Sequence, residues 1–329
     1  MTIERMGVIG GGAWGTALAQ VAAADGKPTL LWAREPEVVE AINRSHENSI
    51  FLPGVPLAPE LTATGSLTEL GGCDALLVVT PAQHMRAVLA QLPRLAVPLI
   101  LCAKGIEEAS TKLMHDVARE EQPDAPIAVL SGPTFAHEVA AGLPAAVTLA
   151  VEERAVGEAI RARLARPTFR QYLSDDVIGA EIGGAVKNVL AIACGVVEGR
   201  GLGHNARAAL ISRGFAEMTR FGLAKGARAE TLAGLSGLGD LVLTCSSENS
   251  RNFSLGKGLG EGRGAAELLA DRRTVAEGAY TAPVLKRAAE EADVDMPIVA
   301  AVCALLTGDS SVDMVVKRLL ARPLRSEAA

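Results

Sequence analysis

The stretch that most constrains this chain lies near its start: Met6-Gly7-Val8-Ile9-Gly10-Gly11-Gly12-Ala13-Trp14-Gly15-Thr16-Ala17-Leu18-Ala19. A short apolar strand runs into glycines at 10, 12 and 15, and a helix-forming run follows. In that setting the G-x-G-x-x-G spacing gives each glycine its own task. Gly10 makes a tight turn, Gly12 lets the backbone approach a pyrophosphate, and Gly15 allows close helix-to-strand packing. The helix predicted to begin near Ala13 offers free N–H groups and a positive dipole end to the phosphates. The spacing therefore predicts a dinucleotide-binding fold.

The next buried parallel strand is read at 28–33, and the residue that follows it is Arg34. An NAD-specific fold usually places an acid there for the ribose hydroxyls, whereas an arginine suits a 2′-phosphate. NADP(H) is thus the favoured cofactor, and Glu35, next in the chain, keeps NAD(H) open. The plainer alternative is that Arg34 is a solvated residue at a strand end.

At 329 residues, 49% hydrophobic and 21% charged, the chain can build two domains around a sizeable core. Its net charge of −6, without a run of like charges, argues against nucleic acid or an anionic membrane as partner and leaves small phosphorylated ligands. Cysteines 73, 102, 194, 245 and 303 form no C-x-x-C and have no histidine cluster beside them. They read as small buried hydrophobes of a reduced compartment, and no metal-ligating set is read. Met1 to Arg5 leads into the first strand without a signal-like segment, and the apolar run 189–197 is too short to span a bilayer. A cytoplasmic chain without a membrane span is expected.

Further strands are read at 61–64, 75–79, 98–102, 127–130, 145–150 and 169–173, with a helix at 35–45 after the second strand and a turn-rich loop at 52–56. Apolar runs of this length, separated by helical stretches, suit a mostly parallel sheet covered on both faces. Ligands of such sheets lie off the carboxyl ends of the strands, where this chain carries Gly10 to Gly15, Arg34, Thr80-Pro81, Lys104-Gly105 and Ser131-Gly132-Pro133-Thr134-Phe135. Lys104 reads either as a surface lysine or as a cation for a bound phosphate or carbonyl. The absence of G-x-S-x-G argues against a nucleophile elbow.

From Glu181 onward the spacing is helical. Within 183–193, Val186, Val189, Leu190 and Ala193 share one face, with Lys187 and Asn188 to one side. Lys187 reads as a snorkelling side chain, or as a catalyst because the stretch borders the cofactor domain. A flexible glycine turn at 235–241 precedes Asp240, and a polar loop at 245–253 carries Ser250-Arg251-Asn252 ahead of the glycine-rich run 256–264. A guanidinium fork with neutral donors suits a phosphate, although a solvated polar loop is the plainer alternative. The stretches 275–278 and 295–299 open the last helices, and 318–329 reads as a fraying tail. The predicted domains are 1–185, dinucleotide-binding, and 186–329, helical and substrate-binding.

Taken together, 10–17, 102–106, 130–136, 185–189, 237–241 with 245–247, 250–252 and 275–278 resemble the bacterial NAD(P)-dependent glycerol-3-phosphate dehydrogenase family, in that family's order. The resemblance implies a Rossmann-type, doubly wound, mostly parallel α/β sheet followed by an all-helical domain similar in layout to that of 6-phosphogluconate-type dehydrogenases. It implies Lys187 as the proton acceptor and donor, Lys104 touching both cofactor and substrate, and a substrate site formed by Gly132, Thr134, Asp240, Ser250, Arg251 and Asn252. Cofactor contacts fall on Gly10, Gly12, Ala13, Trp14, Gly15, Arg34, Lys104, Ala136, Arg251, Val275 and Glu277. The implied product, sn-glycerol 3-phosphate, serves phospholipid synthesis, and a homodimer is expected of the fold.

The implied chemistry needs a hydride, a cation at the developing alkoxide and an anchor for phosphate. A free lysine near pKa 10.4 is a poor base, so burial or the neighbouring cation Lys104 would have to lower the pKa of Lys187. Asn188 and Asp240 would orient the lysine and the substrate hydroxyls. Two other readings stay open: a 3-hydroxyacid or 6-phosphogluconate-type dehydrogenase, and a dinucleotide-binding sensor without chemistry.

Overall fold

A computed structural model describes residues 1–270 and 276–323. The strands are β1 (Met6–Ile9), β2 (Thr29–Trp32), β3 (Leu61–Thr64), β4 (Ala75–Val78), β5 (Leu99–Leu101), β6 (Ile127–Ser131), β7 (Ala145–Val151) and β8 (Phe169–Ser174). The helices interleaved with them are α1 (Ala13–Ala23), α2 (Pro36–Ser45), α3 (Ala82–Leu89), α4 (Met114–Glu121), α5 (Ala136–Ala140) and α6 (Arg154–Leu164). There follow α7 (Val177–Gly199), α8 (Gly203–Ala224), α9 (Ala229–Leu232), α10 (Asp240–Cys245), α11 (Arg251–Gly260), α12 (Ala265–Leu268), α13 (Glu277–Glu291), α14 (Pro297–Leu306) and α15 (Val312–Leu320).

All eight strands form one sheet in the order β3-β2-β1-β4-β5-β6-β7-β8. Pairing is parallel except between β6 and β7, where Ser131 lies opposite Thr148. The apolar runs read as strands because each serves both faces: Val8, Leu77, Ile100 and Leu130 enter one buried cluster, while Ile9, Val78, Leu101 and Val129 enter the other. A strand covered on both sides has no solvent face on which polar residues would alternate.

The chain divides into two units, Met1–Gly184 with Gly226–Asp240, and Ala185–Lys225 with Leu241–Ala329. The first division falls one residue from the expected 185/186 boundary, but the return of Gly226–Asp240 to the first unit departs from the simple division into 1–185 and 186–329. Asp176 shows how that return is held. One of its carboxylate oxygens accepts from Gly179 N (2.8 Å) in the first turn of α7, and the other accepts from Arg228 N (2.8 Å). Gly183 then packs on the backbone of 236–237, where a Cβ would lie 2.4 Å from Ser236 O.

Three further expectations change. The stretch 235–241 is a π-helical turn, Leu235–Gly239, running into α10, and not a flexible loop. The glycine-rich run after 250 lies largely within α11, whose small residues let it contact α7 at backbone distance: a Cβ on Gly256 would sit 1.9 Å from Ile192 O, and one on Gly195 2.0 Å from Phe253 O. Residues 318–320 complete α15, so any fraying tail begins later than 318.

The apolar run 189–197 belongs to the 23-residue α7. Among the described residues this is the one helix long and apolar enough to cross a membrane, and 94% of its most apolar window is buried within the protein. From Ala185 to Val197 every residue is buried, so the expected single apolar stripe is replaced by burial all round, the signature of a core helix. All five cysteines are buried, and none is joined in a disulfide.

In the second unit, Glu217 of α8 holds the start of α14. Its carboxylate accepts from Ile298 N (2.8 Å) and Val299 N (3.3 Å), the N–H groups left open after Pro297. Burial pushes its pKa up from the ordinary 4.5 to about 7, against the opposing pull of those two N–H groups. A carboxyl raised in the folded state contributes stability that is complete below 4.5 and is lost as pH rises through about 7. Chemical denaturation from pH 4.5 to 8 should therefore show the parent chain losing up to about 3 kcal/mol relative to Glu217→Gln, whose amide does not titrate. Parallel stability curves for the two proteins would contradict this.

Candidate active site

In the first unit the β1–α1 turn has the geometry a dinucleotide pyrophosphate requires. Gly10 lies at φ +126°, a conformation L side chains rarely adopt, and a Cβ on Gly15 would meet Gly10 O at 1.9 Å. A Cβ on Gly12 would meet nothing within 4 Å, so this face of the turn is open. Helix α1 starts at Ala13 and Gly12 gives it no side-chain cap, which leaves the first-turn N–H groups directed outward. The residues present thus fit a bound pyrophosphate. Trp14 is half-buried and packs on the core beneath.

Asn48, which the sequence reading did not single out, braces this turn from below. It is fully buried, donates to Gly11 O and Thr16 Oγ1 (both 2.8 Å), and accepts from Phe51 N (3.1 Å). At the end of β2, Arg34 is exposed and its guanidinium lies on one carboxylate oxygen of Glu35 (2.9 and 3.2 Å).

Past β5 and β6, Lys104 Nζ donates to Gly132 O (3.1 Å) and to Asp240 Oδ2 (2.6 Å). The side chain of Asp240 has no exposed surface and stands in the first turn of α10, where the helix dipole favours an anion. Thr134 is half-buried with its hydroxyl near Gly132 O (3.3 Å), and Ala136 opens the short α5. Lys104, Gly132 and Asp240, far apart in the sequence, thus form one cluster.

The second unit carries the remaining predicted groups. Lys187 is buried on α7, and its Nζ donates to Thr244 Oγ1 of α10 (2.8 Å). Beside it, Asn188 Oδ1 accepts from Asn252 Nδ2 (2.9 Å), and Asn252 Oδ1 accepts from Gly278 N (2.9 Å) at the start of α13. Asn252 is thus a buried clip joining three helices. Ser250 caps α11 by accepting from Phe253 N (3.2 Å), and Arg251 is exposed in that helix's first turn. The predicted polar loop 245–253 is therefore a non-helical link at 246–250 that runs into a helix N-terminus at 251. Glu277 is half-buried at the start of α13, and Val275 lies outside the described residues.

Thr244 also escaped the sequence reading. Its signal was the spacing Asp240 to Thr244, one helical turn, which reading 235–241 as a loop concealed.

The chain matches the profile described as NAD-dependent glycerol-3-phosphate dehydrogenase N-terminus over residues 5–157 and the corresponding C-terminus profile over 176–317. It is 66% identical over 327 residues to the glycerol-3-phosphate dehydrogenase [NAD(P)+] of Erythrobacter litoralis, covering 99% of this chain and 98% of the relative. It is 57% identical over 331 residues to the enzyme of that name from Caulobacter vibrioides, with both chains fully covered. Among solved structures, a Coxiella burnetii glycerol-3-phosphate dehydrogenase superposes with a TM-score of 0.93 at 38% identity, covering 97% of this chain and 99% of that one.

Replacing Asn48 with Ala should destabilise the chain by about 2 kcal/mol, since it leaves Phe51 N without its acceptor and Gly11 O with only the long bond from Thr16 Oγ1 (3.4 Å). Equilibrium urea unfolding of the two proteins would test this, and a loss under ~0.5 kcal/mol would remove the bracing role.

Proposed function

This chain belongs to the NAD-dependent glycerol-3-phosphate dehydrogenase family, and we propose that it interconverts dihydroxyacetone phosphate and sn-glycerol 3-phosphate, using NADP(H) in preference to NAD(H). The observation that carries the reading is Lys187, a lysine buried in the core helix α7 with its Nζ on a hydroxyl. A snorkelling lysine would send its ammonium to water, and this one does not.

A nicotinamide dinucleotide held at the β1–α1 turn would supply the hydride that reduces the carbonyl carbon of dihydroxyacetone phosphate, or take it up from the carbinol carbon of glycerol 3-phosphate. Gly10, Gly12, Ala13, Trp14 and Gly15 would hold its pyrophosphate half, with Arg34 at the 2′-phosphate and Ala136, Val275 and Glu277 as further contacts. In reduction Lys187 gives a proton to the alkoxide oxygen, and in oxidation it removes that proton; Thr244 aims the amine. Lys104, fixed by Gly132 O and Asp240, places a cation where negative charge develops. Asp240 orients this lysine as well as a substrate hydroxyl, and Gly132 and Thr134 line the same place.

Arg251 anchors the substrate phosphate with Ser250 and Asn252 beside it. A cation in the first turn of a helix opposes the helix dipole, so Arg251 does little for α11 itself. A phosphate there satisfies both the guanidinium and the helix N-terminus. Asn188, through Asn252, fixes the relation of α7 to α11. We further assign the chain to the cytoplasm, on five buried cysteines outside any disulfide, and to a homodimer.

NADPH oxidation should require dihydroxyacetone phosphate and fail with unphosphorylated dihydroxyacetone; no oxidation with either dinucleotide would remove the proposal. Lys187→Ala should abolish turnover while dinucleotide affinity, read by calorimetry, changes less than about twofold. Arg251→Ala should raise KM for the phosphorylated substrate by roughly ten- to a hundredfold, the loss of a charge-assisted pair. Arg34→Ala should lower the NADPH to NADH preference about tenfold, and an unchanged ratio would assign the choice of dinucleotide elsewhere.

A further inference from the structure

Five buried side-chain polar atoms have no hydrogen-bond partner among the described residues. Three of them belong to Arg163, Arg166 and Gln171, side chains that are otherwise well bonded. The other two, Thr80 Oγ1 and Ser131 Oγ, are the only polar atoms of their side chains. Both stand at carboxyl ends of parallel strands, the edge where such sheets bind ligands. A hydroxyl buried without a partner costs stability, so a fold that keeps one at its ligand edge calls for an explanation.

Ser131 has the more specific surroundings. It ends β6, is 4% exposed, and directly precedes Gly132, whose carbonyl holds Lys104. A Cβ placed on Gly184 of α7 would lie 3.1 Å from Ser131 Oγ and 3.1 Å from Lys104 Cγ. The hydroxyl, the lysine stem and the glycine backbone therefore meet at one point. A small apolar residue would fill the same volume without an unbonded oxygen, and it would be the better choice if packing were the only demand.

We infer that Ser131 is a ligand-binding residue, its hydroxyl bonding a neutral polar group, a carbonyl, carboxamide or hydroxyl, of the molecule that Lys104 binds. The inference rests on the proposed function, which puts both the dinucleotide and the phosphorylated substrate at Lys104. Lys104 supplies charge, and Ser131 supplies a neutral donor and acceptor that discriminates by geometry. Such a hydroxyl stabilises the complex and not the free protein.

Ser131→Ala removes the hydroxyl alone, and Ser131→Cys keeps the volume with a much weaker hydrogen-bonding group. Each variant and the parent would be titrated calorimetrically with NADPH, and the NADPH-saturated proteins then with glycerol 3-phosphate, a pair that cannot transfer hydride. Both variants should melt at or above the parent's temperature without ligand, yet bind one ligand about three- to tenfold more weakly. Weakening in the NADPH titration assigns the hydroxyl to the dinucleotide, and weakening only in the second titration assigns it to the substrate. Unchanged affinities in both titrations overturn the inference, as does a lowered melting temperature with parental affinities. A parent chain that binds no NADPH would instead overturn the functional reading on which the inference stands.

Discussion

A carboxylate without exposed surface has lost its hydration and must recover it from protein donors. Asp240 is in that position, and Lys104 at 2.6 Å, with the N-terminal dipole of α10, replaces the water. The bond fixes the lysine as much as the acid. It can form only because 226–240 turns back onto the sheet unit, held by the two oxygens of Asp176 and by the close fit of Gly183 against Ser236 O. Breaking such a pair by removing one member typically costs about 3–5 kcal/mol, so the arrangement preorganises a cation that would otherwise sample many rotamers.

The second unit uses neutral groups for the same purpose. Thr244 aims Lys187, and the Asn188–Asn252 pair ties α7 to α11 and to Gly278. A hydroxyl orients an amine in either protonation state, because it can accept from the ammonium or donate to the free amine. This suits the role proposed for Lys187, giving a proton in one direction of the reaction and taking it in the other. The helices can place these short side chains face to face because glycines at 195 and 256 bring the backbones into contact.

The sheet was legible because its strands are apolar on both faces and each is bounded by turn residues, which leaves few alternatives for runs of this length. Gly10 and Gly15 were legible for a different reason: the turn they make tolerates no side chain, so spacing alone carries the information. Periodicity failed at α7, since a helix buried all round has no polar face to set against an apolar one. Glycine density misleads at 235–241, where it suggests flexibility. Gly237 is instead pressed against Leu232 O, 1.9 Å from where its Cβ would stand, and the segment is helical. That error hid Thr244, and local sequence holds no sign that Asp240 would meet a lysine 136 positions away. Asn48 has no sequence signal, and Ser131 is legible only as part of a strand-end stretch, because nothing about a lone polar residue in a sequence tells whether it will be buried, or against what.

Arg34 and Glu35 bear on the choice of dinucleotide more subtly than a single arginine suggests. The guanidinium already has a carboxylate at 2.9 Å, but it is 79% exposed, and exposed pairs of this kind contribute only ~0–1 kcal/mol. The proposed preference for NADP(H) would rest on a 2′-phosphate, doubly charged and able to take both arms of the fork, displacing so weak a partner. Without that phosphate the carboxylate would stay on the arginine, and the ribose hydroxyls of NAD(H) would meet a pair and not a bare cation. On the proposed reading the same two residues would accept either dinucleotide and favour the phosphorylated one.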